Sequence, residues 1–197
     1  MPDEEPWSPA AFEARYAAAP DPWSFATSTY ERERYETILS ALRPRPHRYH
    51  LGFEPACSVG VLTAALVERC DRIVASDVSA SAVARARVRC SALNGVRIDV
   101  GSVQDGPGTD EPVDLVVFSE LGYYFAADEL PAIVTGVRDL LAPGGDLIAC
   151  HWTGESPDHR LSGTTVHDVM VRTLEADAGL VRSELHDGFV LGVWHAR

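Results

Sequence analysis

Three acidic residues close mostly apolar runs in this chain. Glu54 ends His50–Glu54, Asp77 ends Arg72–Asp77, and Glu120 follows Val113–Ser119. A carboxylate at the end of a buried strand is costly to leave bare, so each needs a partner or a ligand. Between the first two lies a small-residue turn, Ala56-Cys57-Ser58-Val59-Gly60, and then a helical run, Val61–Val67. Strand, tight turn and helix together aim backbone N–H groups beyond the strand end. Asp77 follows Glu54 at about the 20-residue interval at which a second acid meets a ribose diol. That chemistry is a nucleoside-type cofactor; a plain helix N-cap is the rival reading of Asp77. Beyond Glu120 come Tyr123, Tyr124, His151, Trp152 and His167. Glu120, His151 and His167 are of the types that accept a proton or fix a lone pair, and Tyr124 offers a hydroxyl. Each histidine reads equally as a core residue, and one of the tyrosines as packing.

Positioning such groups requires alternating strands and helices. Helices are expected over Ser8–Ala19 and Ser28–Leu42, with Ser8 as a cap and Pro44 and Pro46 as terminators. From there the order is strand Tyr49–Glu54, helix Gly60–Arg69, strand Arg72–Ser76, helix Ser79–Leu93 and strand Val96–Val100. A Gly/Pro-rich loop leads to Val113–Phe118, a run of the fully buried type. Helix Ala127–Leu141 stops at Pro143-Gly144-Gly145, and Asp146–Trp152 is a fifth strand. Repeated βα units imply a parallel sheet with right-handed crossovers. After helix Thr165–Ala178 the chain reads strand, turn, strand, with Asp187-Gly188 as the hairpin signal. A dinucleotide dehydrogenase would continue with further parallel units. An antiparallel closing strand behind short leading helices favours a methyltransferase sheet instead.

Length and composition bound the rest. The 197 residues suit one domain, 1–197, with a helical cap over 1–46 and an α/β core over 47–197. Hydrophobic content of 46% and charged content of 23% are ordinary for a globular protein. A formal net charge of −12 repels phosphate, so no nucleic-acid partner is expected. No stretch approaches the ~18 apolar residues of a membrane span. The opening MPDEEPWSP carries no signal-peptide core, which makes the cytoplasm the default. Cys57, Cys70, Cys90 and Cys150 have neither disulfide nor zinc spacing and read as buried free thiols.

Several segments carry a family resemblance. FEPACSVGVLT looks like the glycine-rich loop of S-adenosylmethionine (SAM) enzymes, VDLVVFSELGYYF like their fourth strand, and LAPGGDLIACHW like their fifth. DPWSFATSTYERERYETIL resembles the aromatic leading helices of the nodulation-protein-S-type N-methyltransferases. The likeness runs from about Pro22 to Met170. It implies an α/β fold of the Rossmann-like class I methyltransferase type: a seven-stranded, mostly parallel sheet with an antiparallel C-terminal hairpin and N-terminal cap helices. It also implies SAM as cofactor, S-adenosylhomocysteine as product, and an amino group as acceptor, in the nodulation case on a deacetylated chitin-type sugar.

The resemblance gives the residues roles. Glu54 orders the loop of Ala56, Cys57, Ser58 and Gly60 and approaches the methionine ammonium. Asp77 takes the ribose, and Val78, Ser102 and Val103 lie at the adenine end. Ser119 and Glu120 face the crevice, with Tyr124, His151 and His167 on the acceptor side. Trp23, Tyr30 and Arg34 lid the cofactor, or else form a helix-packing patch. Two departures stand out. Ala56 replaces the first loop glycine, and since alanine adopts positive φ only at a cost, ordinary dihedrals, or a turn set slightly further from the methionine moiety, are expected there. Ser102 replaces an aspartate, leaving its hydroxyl or N–H to meet adenine. The reading is SAM-dependent methyl transfer to a small-molecule acceptor, most simply an amine and possibly an amino sugar. Rivals are a small-molecule O-methyltransferase and a non-catalytic SAM- or nucleotide-binding protein. No metal is called for, and the oligomeric state, monomer or homodimer, is open.

Overall fold

A computed structural model describes residues 5–197. The first four residues, part of the acidic opening read for the absence of a leader, lie outside it. Two helices, α1 (Pro9–Ala18) and α2 (Thr29–Ala41), precede the sheet. Ser8 and Ser28 cap them through their hydroxyls. Then follow β1 (Tyr49–Pro55), α3 (Val61–Leu66), β2 (Cys70–Asp77), α4 (Ala80–Arg89), β3 (Val96–Val100), β4 (Val113–Ser119), α5 (Leu130–Asp139) and β5 (Leu141–Trp152). The chain closes with α6 (Gly163–Leu174), β6 (Ala178–Leu185) and β7 (Phe189–Ala196).

The seven strands lie in the order β3-β2-β1-β4-β5-β7-β6. Strands β1 to β5 pair in parallel, and β7 runs antiparallel to both β5 and β6. This is the mostly parallel sheet that the alternating units predict. Both faces are covered. Val116, Phe118 and Leu147 pack on the side of α5 and α6. Leu115, Val117 and Ile148 pack on the side of α2 and α3. An apolar side chain is therefore needed at each position from Leu115 to Phe118, which explains the run there.

Helix ends are trimmed relative to expectation, and one boundary is moved for a physical reason. Strand β5 begins at Leu141, because Leu141 already pairs with Val113. The next pair is Leu115 with Asp146, so Pro143-Gly144-Gly145 bulges out between them. Gly144 takes φ +77° there. The predicted helix to Leu141 accordingly ends at Asp139.

Asp146 at that bulge anchors the far end of the molecule. It accepts hydrogen bonds from the Tyr49 hydroxyl at 2.5 Å and from Arg43 at 2.7 and 2.8 Å. This ties the segment after α2 to β1 and β5. Among the described residues no helix is long and apolar enough to cross a membrane.

Candidate active site

The carboxyl ends of the parallel strands open on a cavity of about 1110 Å³. Ligands bind at this edge in open α/β sheets, where the strand order reverses. The reversal here lies between β1 and β4. Pockets for one small ligand run to ~300–1,000 Å³, so this cavity has room for two molecules. From the sheet it is lined by Ala56 and Ser58 after β1, Asp77 and Val78 at β2, and Ser102 and Val103 after β3. Glu120, Tyr123 and Tyr124 after β4 and Trp152 at the end of β5 line the other side. Trp7, Phe12, Tyr16, Trp23, Phe25, Tyr30 and Glu31 of the leading segment cover it.

The turn after β1 is wound through left-handed backbone. Ala56 has φ +58°, Ser58 φ +52° and Gly60 φ +77°. The expectation of ordinary dihedrals at Ala56 is thus corrected: alanine takes the glycine conformation, at a cost of roughly 1–2 kcal/mol. What holds it comes from outside the turn. The Ser58 N–H donates to Asp77 Oδ2 at 2.9 Å, and the Tyr16 hydroxyl donates to Ser58 Oγ at 2.5 Å. At Gly60 a Cβ would stand 2.9 Å from the Cβ of Ala86, so glycine lets α3 and α4 approach. Cys57 is buried beneath the turn and does not line the cavity.

Asp77 is the buried carboxylate of the left half. Its Oδ1 accepts the Ser79 N–H at 2.9 Å, so it does serve the start of α4. Burial pushes its pKa up to about 6, against the pull of the two N–H donors from Ser79 and Ser58. Each oxygen keeps a second lone pair for a ligand hydroxyl. Glu54 does not line the cavity. Its Oε2 accepts the Thr63 hydroxyl at 2.6 Å, and burial lifts its pKa to about 8. It braces the start of α3 from beneath and does not face a methionine ammonium directly. Ser102 is corrected as well. Its N–H and hydroxyl both donate to Asp105 Oδ2, at 2.7 and 2.8 Å, so its N–H is not free for adenine.

On the right half, Glu120 sits at φ +55° and turns its carboxylate back toward α2. Oε1 accepts the Trp152 N–H at 2.7 Å and lies 2.5 Å from Arg34 Nη1. Oε2 accepts the Tyr123 hydroxyl at 2.7 Å. Arg34 also donates to Glu31 Oε2. Burial works against the Arg34 charge, but Glu120 and Glu31 more than offset it and raise its pKa. Arg34 is fully buried and does not line the cavity. It is the keystone between two carboxylates rather than a lid. Of the proposed lid residues, Trp23 and Tyr30 reach the cavity. The Tyr30 hydroxyl donates to the Gly188 carbonyl at 2.9 Å, pinning the last hairpin to α2.

Neither His151 nor His167 reaches the cavity. His151 is fully buried, its Nε2 accepts the Gly122 N–H at 3.0 Å, and its Nδ1 lies 3.2 Å from His167 Nε2. The network places the His151 proton on Nδ1, donated to His167. Burial lowers both, His151 well below the usual histidine range and His167 to about 4. Both are neutral core histidines that hold the Gly122–Tyr124 turn, and the expectation of a base facing the acceptor is corrected. Ser119 is likewise buried outside the cavity. Tyr124 lines the cavity, edge-on to Phe12 at 4.9 Å between ring centroids.

Sequence reasoning missed the part played by α1. Glu13 Oε2 accepts the Ser79 hydroxyl at 2.6 Å and the Ser81 N–H at 3.0 Å, and Oε1 accepts the Ser81 hydroxyl at 2.5 Å. Those bonds hold its pKa at about 2 and dock α1 on the N-terminus of α4. Tyr16 thereby lands beside Asp77, its pKa raised by burial and then by that carboxylate. Glu31 and His159 were missed too. Helix α2 reads as an amphipathic helix whose charges lie between its apolar residues, so nothing marked Glu31 as buried.

Comparison with known proteins agrees with this geometry. A family model described as Nodulation protein S (NodS) matches residues 11–158. Nodulation protein S of Bradyrhizobium diazoefficiens is 32% identical over 138 residues, covering 68% of this chain and 64% of its own length. That of Sinorhizobium fredii is 33% identical over 138 residues, covering 68% and 62%. The match thus spans less than two thirds of these relatives. Among solved structures, the N-methyltransferase NodS from Bradyrhizobium japonicum in complex with S-adenosylhomocysteine superposes with a TM-score of 0.80 at 22% identity. It covers 95% of this chain and 98% of that one. A DhpI–S-adenosylhomocysteine complex gives 0.74 at 21% identity, over 96% and 95%. At these identities the two structures establish the shared fold, a Rossmann-like methyltransferase sheet. With the family model matched across most of the chain and relatives above 30% identity, the chain belongs to the Nodulation protein S (NodS) family.

Proposed function

We propose that this protein transfers a methyl group from S-adenosylmethionine to the nitrogen of a small amine, an amino sugar among the candidates. The observation that carries the reading is the charge at the Glu120 end of the cavity. Glu31 and Glu120 share the guanidinium of Arg34, which is fully buried. Two carboxylates against one cation leave a net negative charge where an acceptor would lie. An amine arrives as a cation and is drawn to it.

The residues suit the cofactor. Asp77 offers free lone pairs for a ribose diol, and Val78 and Val103 offer apolar surface for adenine. The turn of Ala56 and Ser58, braced by Tyr16, would border the methionine moiety. When bound, the cofactor supplies an electrophilic methyl on a sulfonium and leaves as the neutral thioether. The protein must then orient the amine and exclude water. Glu120 keeps one unshared acceptor position on Oε2, enough to fix an acceptor N–H. The amine loses one proton to expose its lone pair, and a cavity-facing carboxylate is available to receive it.

His151 and His167 are committed to each other and neither ring faces the cavity, so neither serves as the base for a hydroxyl acceptor; the amine reading rests on the charge. Calorimetry with S-adenosylhomocysteine tests the cofactor. Mass spectrometry of matched amine and alcohol acceptors tests the chemistry. Binding without transfer to any acceptor would favour a non-catalytic role, and transfer to the alcohols alone would overturn the amine.

A further inference from the structure

We propose that the free edge of β6 pairs with the same edge of a second copy of this chain, antiparallel and about a twofold axis at Ser183. The pairing is independent of the chemistry at the cavity.

Strand β6 ends the sheet, with β7 on one side of it and no strand on the other. The His186 N–H donates to the Phe189 carbonyl at 2.8 Å and closes the hairpin. Hydrogen-bonded and non-hydrogen-bonded pairs alternate along an antiparallel ladder. Counting back from that bond, Glu184 and Arg182 turn their N–H and C=O groups toward β7, opposite Leu191 and Val193. Ser183 and Leu185 turn theirs away. Among the described residues no turn, loop or cap bonds to them. Such a row is a template for another strand. The opposite edge of the sheet is occupied. On β3 the Ile98 carbonyl accepts Arg87 Nε of α4 at 2.8 Å, and Arg97 donates to the Pro107 carbonyl of the following loop.

The occupant is argued from the sequence of the strand, which is complementary to itself. It reads Val181-Arg182-Ser183-Glu184-Leu185. With Ser183 opposite the partner's Ser183, the two serines exchange N–H···O=C bonds. Arg182 then stands opposite the partner's Glu184, and Glu184 opposite the partner's Arg182. Val181 stands opposite the partner's Leu185, and Leu185 opposite the partner's Val181. Opposite charges and apolar pairs facing each other both stabilise a ladder. Val181 and Leu185 are 53% and 74% exposed, so their apolar contact is still to be made. Within one chain Arg182 lies 2.6 Å from Glu184, with both side chains partly exposed, so four charges join into one network across the axis. An axis at Arg182 or at Glu184 would oppose like charges, which selects Ser183. Strand β6 carries neither the lysine nor the proline that commonly blunts an edge. Its bulge, between Leu180 and Arg182, limits the pairing to one short stretch per chain. An interface of that size gives a concentration-dependent dimer. None of residues 181–185 lines the cavity, so the site stays open in the pair.

The test is sedimentation velocity on the full chain from about 1 to about 500 µM. The weight-average mass should rise from that of the 21.4 kDa chain toward twice that value. A monomer across the whole range would overturn the proposal. Ser183→Pro removes the N–H that crosses the axis, and an edge strand tolerates proline where its N–H faces away from the sheet. It should weaken association about tenfold or more and leave the melting temperature within a few degrees. Arg182→Glu and Glu184→Arg each set like charges across the axis and should weaken association by about the same factor. The double variant restores opposite charges and should return association to within about threefold of the parent. A dimer indifferent to Ser183→Pro would overturn the β6 edge as the interface. A double variant no better than the singles would overturn the axis at Ser183. Should Ser183→Pro unfold the chain, the charge-swapped set decides alone, since an exposed ion pair adds little to the fold of one chain.

Discussion

Arg34 Nη1 lies 2.5 Å from Glu120 Oε1, with the guanidinium completely buried and the carboxylate on the cavity wall. One residue comes from the leading helix and the other from the end of the fourth strand. Glu120→Gln keeps the size and removes the charge. Arg34 then retains only Glu31, and stripping one partner from a buried pair costs up to ~3–5 kcal/mol. Urea unfolding should show a clear loss, and turnover should fall by about 10²-fold or more. S-adenosylmethionine affinity should stay within roughly 1 kcal/mol. If affinity and turnover fall together, Glu120 serves the cofactor instead.

Asp77 gives a pH signature. On the proposed reading its ionised form would accept the ribose hydroxyls, and burial holds its pKa at about 6. Cofactor affinity should be flat above pH 6 and fall about tenfold per unit below it. Asp77→Ala should weaken binding by roughly 1.5–3 kcal/mol and abolish that slope. Calorimetry from pH 5 to pH 8 measures both, and a slope that survives in the variant would assign it to another group.

Ala56 stores strain at φ +58°. Ala56→Gly releases roughly 1–2 kcal/mol of it and returns about 0.4–1 kcal/mol through the freer unfolded chain. The variant should be as stable as the parent or up to about 1.6 kcal/mol more stable, with cofactor affinity retained. A drop in melting temperature would show that the alanine methyl packs usefully.

Glu54 predicts the opposite of ordinary acid denaturation. Burial raises its folded pKa from the ordinary 4.5 to about 8. Its contribution to stability is present below pH ~4.5 and is lost as pH rises through 8. Glu54→Gln cannot ionise. The melting temperature of the variant relative to the parent should therefore climb between pH 5 and pH 9. A constant difference across that range would mean that Glu54 is already ionised in the folded protein.

His151 is predicted to act through the Gly122 turn. His151→Phe leaves the buried Gly122 N–H without its acceptor, at about 1–3 kcal/mol. Stability should fall by that amount. The pH profile of turnover in the parent should show no step assignable to His151, since its pKa lies well below the usual histidine range. A limb near pH 6.5 that vanishes in the variant would restore the histidine as the base.

The sequence by itself determined the order of elements and the strand ends. Asp77, Glu120 and the 56–60 turn were legible because each sits where an apolar run stops, and period and punctuation are local properties of a chain. The hairpin at Asp187-Gly188 was legible for the same reason. The insertion of β7 between β5 and β6 was not, because strand order depends on which surfaces remain to be covered.

Side-chain direction was decided only in three dimensions. Arg34 read as a lid or packing residue and Glu31 as one of the charges between the apolar residues of α2, yet both are buried and paired, because Glu120 approaches Arg34 from 86 positions further along the chain. His151 looked like an acceptor-side base because it ends β5, and packing turned its ring inward to Gly122 and His167. Ala56 takes positive φ because Asp77 and Tyr16 hold the turn from outside it. In each case the deciding partner is remote in sequence, and a residue's local pattern carries no information about a contact made from the far side of the fold.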